Sequence, residues 1–85
     1  MPNRKASPHR PLPPEIALAI GQALRDRRER RKFTQESLAA ASGVSVQLIR
    51  RLEAGGGNPT LGSLHAIVTE LGTEMDVLLR AARRP

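Results

Sequence analysis

Few side chains in this sequence have the types and spacing that covalent or metal chemistry requires. The only histidines are His9 and His65, and the chain has no cysteine. Zinc sites in proteins are built mainly from cysteine and histidine. No grouping of serine, histidine and aspartate, and no pair of carboxylates, has the arrangement typical of catalysis. We therefore expect no enzyme activity, no bound metal and no cofactor.

Electrostatics is the chemistry that the composition favours. Lysine and arginine number 14 against 8 aspartate and glutamate residues, which gives a formal net charge of +6. Residues 1–51 carry eleven basic and four acidic side chains, whereas residues 52–85 carry three and four. A positive field confined to one part of a small protein favours a polyanionic partner. Because charge also keeps proteins soluble, it indicates a polyanionic partner only when a binding motif accompanies it.

The length and the absence of cysteine restrict the class of protein. A chain of 85 residues is expected to form one small domain without a disulfide scaffold. No apolar run approaches the roughly 18 residues that span a bilayer. The N-terminus lacks the apolar stretch of a secretory signal. We expect a cytoplasmic protein with no membrane partner.

Short helices are expected to position the polar residues. Residues 1–14 contain five prolines and no apolar period, which indicates a flexible basic arm. Apolar residues then recur every three or four positions, which predicts helices over 15–31, 35–41, 46–54 and 61–71. A hydroxyl residue able to cap the helix precedes each of the last three; these residues are Thr34, Ser45 and Thr60.

The second and third predicted helices, joined through Gly43, form a helix-turn-helix motif. Over about residues 20–72 the chain resembles the DNA-binding domain of the Cro/CI-type, or xenobiotic-response-element, family. The resemblance rests on Thr34-Gln35-Glu36-Ser37-Leu38-Ala39, Gly43-Val44-Ser45, Ile49-Arg50-Arg51-Leu52-Glu53 and Asn58-Pro59-Thr60-Leu61. It implies a lambda-repressor-like fold and a sequence-specific transcriptional repressor that binds a palindromic site in double-stranded DNA.

The resemblance also implies roles for individual residues. In that family the second helix of the motif lies in the major groove, and its first residues read base edges. The implied base-contacting residues are Ser45, Val46, Gln47 and Arg51, with Arg50 at a base or a phosphate. Glutamine can pair with adenine and arginine with guanine, and we expect valine, otherwise odd at so exposed a place, to pack on a thymine methyl group. The residues implied at phosphates are Thr34, Gln35, Asn58 and Thr60.

Two further sets of charged residues follow from the same comparison. Arg28 and Glu53 match a family pair that bridges the first helix and the recognition helix, so we expect a structural ion pair. Arg4, Lys5 and Arg10 lie in the basic arm. They could reach round the duplex or enter its minor groove, or the arm could serve only as a solubilising tail.

The segment after Gly72 has a different pattern. Met75, Val77 and Leu79 alternate with polar residues, although Leu78 interrupts the polar side. This period of two predicts a strand over about 73–80. Because no other segment is predicted to be a strand, we expect it to pair with the same strand of a second copy in a homodimer. Residues 81–85 are expected to be a disordered tail.

The passage from the fourth helix into this strand, Leu71 to Leu79, resembles the HipB-type antitoxins. That resemblance implies a prokaryotic, nucleoid-associated protein that represses its own operon and binds a HipA-like kinase toxin. One alternative is a stand-alone phage- or plasmid-type repressor without a toxin. Another is a helix-turn-helix module that binds proteins and does not use DNA.

Together these expectations describe a mainly α domain. It comprises residues 15–80, with four to five short helices that include the helix-turn-helix and one C-terminal strand that pairs across a homodimer.

Overall fold

The computed structural model describes residues 12–83, which form five helices. They are α1 (Pro14–Arg30), α2 (Gln35–Ser42), α3 (Val46–Glu53), α4 (Leu61–Glu70) and α5 (Met75–Arg83). The prediction of a mainly α fold is confirmed, and the first four helices lie within one residue of their predicted bounds. Residues 1–11, which make up most of the predicted basic arm, lie outside the described residues.

Side-chain hydroxyls start three of the helices. Thr34 Oγ1 accepts a hydrogen bond from the Ser37 amide at 2.9 Å, and Ser37 Oγ accepts one from the Thr34 amide at the same distance. Thr60 Oγ1 accepts from the Ser63 amide at 3.0 Å, and Ser45 caps α3. These caps satisfy amides that have no partner inside the helix, so the sequence sets the starting points of the helices locally.

The hydrophobic core lies between the five helices. α1 packs against both α3 and α5, and α2 packs against α3 and α4. The buried apolar side chains are Ile20, Leu24, Leu38, Ala39, Ile49, Leu52, Leu64, Ile67, Val68, Leu71 and Leu78. Because α3 contributes only its inner face to this core, its outer face is left to solvent.

α1 approaches α3 closely at Gly21. A β-carbon at this position would collide with the carbonyl oxygen of Leu52. Gly21 is buried, and a glycine inside a helix costs about 0.5–1 kcal/mol relative to alanine. Its place in α1 is therefore explained by the distance at which α3 is held.

The prediction of a C-terminal strand over about 73–80 is wrong, because Met75–Arg83 form helix α5. Leu78, which interrupted the alternation, is fully buried, and Met75 and Ala82 pack against the core beside it. These three positions recur at intervals of three and four, as one face of a helix requires. A helix also satisfies its own backbone hydrogen bonds, whereas a lone strand cannot.

Two further expectations fall with the strand. Residues 81–83 belong to α5, so this part of the predicted disordered tail is helical, and residues 84–85 lie outside the described residues. Met75, Val77 and Leu79 do not form a ribbon with a second copy, because none of the residues from 12 to 83 is in a strand. A homodimer must therefore use another surface.

Candidate nucleic-acid interface

The turn between α2 and α3 fixes the angle at which α3 is presented. Gly43 ends α2 in the left-handed region, at φ 75° and ψ 23°, where glycine carries no steric penalty. The amides of Gly43 and Val44 both donate to the carbonyl oxygen of Ala39, at 2.9 and 3.1 Å. Ser45 then accepts from the Leu48 amide at 3.1 Å and starts α3. The two helices of the motif are therefore joined by a short, hydrogen-bonded turn.

The outer face of α3 carries the polar residues that the sequence singled out. Gln47 and Arg51 are exposed and lie four residues apart, so they share one face of the helix. Ile49 and Leu52 on the other side are buried in the core. The inner face of α3 is thus anchored in the core. The Gln47 amide and the Arg51 guanidinium on its outer face can present hydrogen-bonding groups to base edges.

Val46 is less exposed than we expected. It is partly buried and packs against the hydrophobic core. Core packing thus accounts for an apolar residue at this position, and only the part of Val46 that remains exposed is open to a ligand. This position is therefore less exposed than the sequence suggested, because the first turn of α3 lies against the core.

The Gln35 side chain is hydrogen-bonded to a buried ion pair between Arg28 and Glu53. Arg28 Nε and Nη2 donate to the two carboxylate oxygens of Glu53, at 2.6 and 2.9 Å. Gln35 Nε2 donates to Glu53 Oε1 at 3.1 Å, and Arg28 Nη1 donates to the Phe33 carbonyl at 2.8 Å. Glu53 therefore connects α1, α3 and the first residue of α2, and it fixes the Gln35 amide at the N-terminus of that helix.

The buried Glu53 carboxylate also changes the pKa of its partner, Arg28. The hydrogen bonds that Arg28 donates to Glu53 raise the pKa of the Arg28 guanidinium above its ordinary value, although burial opposes this. Because the folded pKa lies above the unfolded one, the resulting stabilisation is complete at neutral pH and is lost only in strong alkali.

Arg50 is held by a carboxylate of the neighbouring helix. Its Nη2 lies 2.9 Å from Glu36 Oε2, and both side chains are more than half exposed. Glu36 is in the first turn of α2, so this pair connects the two helices of the motif on the outside. The Arg50 guanidinium is therefore engaged by a carboxylate of the same domain.

A second group of exposed polar residues lies before α4. The loop from Gly55 to Asn58 has glycines at φ 87° and 80°, at positions 55 and 57. Asn58 and Thr60 are exposed, and Thr60 caps α4. The first amides of α2 and α4 have no partner within their helices, which favours an anion at each terminus.

The remaining predicted site residues are Arg4, Lys5 and Arg10, which lie outside the described residues. Two residues that take part in this geometry were not among the predicted site residues. Gly21 could have been found as a glycine inside a helical pattern, which needs a packing reason. Glu36 had no local signal, because an acidic residue in a first turn is also explained by the helix dipole.

Within residues 12–83, no three histidine or acidic side chains are grouped so that they could hold a metal ion. In the same range, no helix is long and apolar enough to cross a membrane.

Comparison with known proteins adds to this geometry. Residues 24–78 match a family model described as helix-turn-helix. The chain is 32% identical over 65 residues to an uncharacterised HTH-type transcriptional regulator, y4mF, of Sinorhizobium fredii; these residues cover 76% of the chain and 86% of that relative.

Solved structures show the same arrangement of helices. The clp gene regulator ClgR from Corynebacterium glutamicum is 30% identical, with a TM-score of 0.75 over 89% of this chain and 94% of that one. The restriction-modification controller protein C.AhdI from Aeromonas hydrophila is 29% identical, with a TM-score of 0.67 over 78% and 94% of the two chains.

Proposed function

This chain belongs to the Cro/CI-type helix-turn-helix family of DNA-binding transcriptional regulators, and we propose on that premise that it is a sequence-specific repressor. In this proposal α3 lies in the major groove of double-stranded DNA. The observation that carries it is the exposed pair Gln47 and Arg51 on the outer face of a helix whose inner face is fixed in the core. Gln47 would pair with adenine and Arg51 with guanine.

Contacts to phosphates would set the position of α3. Thr34 and Gln35 lie at the start of α2, and Asn58 and Thr60 lie before α4. Backbone amides at such helix termini bind anions and orient a protein on the duplex without reading its sequence. Gln35 is suited to this role because a hydrogen bond to Glu53 already holds its side-chain amide in place. Ser45 and the exposed part of Val46 would complete the contacts to the groove.

A homodimer would place two copies of α3 on a palindrome, with half-sites about 34 Å apart or a multiple of that distance. The surface that we assign to this contact is an apolar cleft of about 580 Å³ between α1 and α5. Ile16 and Leu79 line it and are 44% and 41% exposed. Large apolar side chains grouped on one surface favour burial against a partner. A second copy is the occupant that a twofold DNA site requires.

The HipB-type antitoxin role, with a HipA-like kinase toxin as partner, depended on the C-terminal strand. Since α5 replaces that strand, we propose a stand-alone regulator that represses its own operon. Co-purification from the native host tests this choice. A kinase-like protein bound stoichiometrically to the chain would restore the antitoxin hypothesis.

The proposed function is tested by titrating a labelled fragment of the upstream region with the protein, with random DNA as competitor, at several salt concentrations. We expect specific binding that weakens steeply as salt increases. Gln47→Ala and Arg51→Ala should each cost about 1–3 kcal/mol of binding free energy and relax the sequence preference. Arg80→Ala, an exposed arginine of α5, is the matched control and should retain that preference.

A protein-interaction module that does not use DNA is the second hypothesis, and the same titration separates it. Equal and weak binding to both DNAs, unchanged by Gln47→Ala and Arg51→Ala, would refute the repressor. The function would then lie in contacts with proteins.

A further inference from the structure

We propose that Glu36 limits the sequence-independent part of DNA affinity by holding Arg50 in an ion pair at the edge of the recognition surface. The inference rests on the proposed function, since it concerns how strongly this surface attracts phosphates. It assigns Arg50 a role different from that of Arg51, although the two residues are adjacent in the sequence.

The geometry separates the two arginines. Arg50 Nη2 donates to Glu36 Oε2 at 2.9 Å, which connects the last turn of α3 to the first turn of α2. Arg51 is exposed on the face that it shares with Gln47. The positive charge of Arg50 is therefore opposed by a carboxylate before any DNA is present.

The position of Glu36 adds to this effect. It follows Thr34 and Gln35, where the proposed function places a phosphate. A carboxylate near that point repels the phosphate. It also pairs with the Arg50 guanidinium, which could otherwise neutralise a second phosphate. Phosphate contacts supply most of the non-specific affinity of DNA-binding proteins, so both effects lower binding to random sequence.

The restraint is expected to be moderate. The Arg50 and Glu36 side chains are 51% and 65% exposed. Ion pairs of this kind are weak, because water screens the charges. Arg50 is therefore held loosely, and removal of the carboxylate should change affinity by a factor of about two to five.

The test is a set of charge-removing substitutions measured on random-sequence duplex DNA. Glu36→Gln removes one charge and keeps the size of the side chain. We expect it to bind random DNA about two to five times more tightly at low salt, and to steepen the plot of log affinity against log salt by about 0.9, the value for one additional phosphate. Arg50→Gln should weaken binding, and the double variant should return near the wild type.

Asp76→Asn is the matched control. Asp76 pairs with Arg80 of α5 at 2.9 Å, and these side chains are 64% and 71% exposed. The substitution changes the net charge by the same amount and frees an arginine outside the helix-turn-helix. We expect the affinity of this variant to change much less than that of Glu36→Gln.

Each result has a definite meaning. A wild type that binds random and upstream DNA alike and without salt dependence would remove the proposed function and this inference together. A wild type that binds its upstream DNA specifically, with Glu36→Gln indistinguishable from it, would remove the inference alone. An equal gain from Asp76→Asn would also overturn it, because net charge would then explain the effect.

Discussion

At the scale of single residues, the buried Glu53 carboxylate organises the start of the recognition surface. It accepts two hydrogen bonds from Arg28 and one from Gln35. The Arg28 and Glu53 side chains are 11% and 4% exposed, so both charges are largely removed from water. A buried pair of this kind contributes little net stability over an apolar replacement, but removal of one partner leaves the other charge unsatisfied.

We therefore expect Glu53→Ala to lower the free energy of unfolding by about 3–5 kcal/mol. Urea denaturation measures the change. The double variant Arg28→Leu with Glu53→Leu should lose less than the sum of the two single substitutions, because no isolated charge is then buried. Additive losses would contradict a direct interaction between the two side chains.

At the scale of elements, the packing of α1 on α3 depends on the absence of a side chain at Gly21. The added methyl group of Gly21→Ala would overlap the Leu52 carbonyl oxygen. We expect the substitution to destabilise the fold by about 1–3 kcal/mol, as overpacking does. Thermal unfolding followed by circular dichroism measures the difference.

Gly62→Ala is the control for that substitution. Gly62 is exposed in α4, and a β-carbon there would meet only Thr60 Oγ1 at 3.9 Å, an ordinary contact. Alanine should stabilise this helix by about 0.4–1 kcal/mol. If both variants shift the melting temperature upward, the close approach of α1 and α3 is not a constraint.

The identity of α5 as a helix leads to a second prediction at this scale. Leu78 is fully buried, whereas its neighbour Leu79 is 41% exposed. Leu78→Ala should cost about 2–5 kcal/mol because it leaves a cavity. Leu79→Ala should change the stability of the monomer little. Comparable losses at the two positions, measured by denaturation at low protein concentration, would contradict this placement of α5.

At the scale of the whole molecule, the proposed dimer joins the apolar cleft of α1 and α5 to DNA binding. We expect sedimentation to give twice the mass of one chain at micromolar concentration, and Leu79→Lys to give one chain, because a charge would be buried in the contact. Leu61→Lys, at an exposed leucine of α4 outside the cleft, is the control and should remain dimeric. Monomeric wild-type protein would refute the dimer.

The dimer prediction also shows how far sequence patterns reach. A strand with period two required a second copy for its hydrogen bonds, and that reasoning led to a ribbon across a twofold axis. The same apolar residues, placed on a helix, still leave Leu79 exposed beside Ile16. The expectation of a partner copy remains a proposal, but its chemical basis changes from backbone pairing to burial of apolar surface.

The first four helices and the helix-turn-helix motif could be predicted from the sequence alone. Their signals are local: hydroxyl caps at Thr34, Ser45 and Thr60, a glycine at the turn, and apolar residues every three or four positions. Each signal acts within one or two turns of helix, so the sequence determines it without reference to the rest of the chain.

Features that depend on what lies opposite a residue became visible only once the helices were packed together. The nine residues of α5 fit both the two-residue period of a strand and the three-to-four-residue period of a helix. The segment is a helix because Leu78 is then buried in the core. The partial burial of Val46 and the bond from Arg50 to Glu36 arise in the same way, from groups brought together by the packing of different helices. Spacing along one segment does not contain that information, since contacts between segments depend on the orientation of the helices in space.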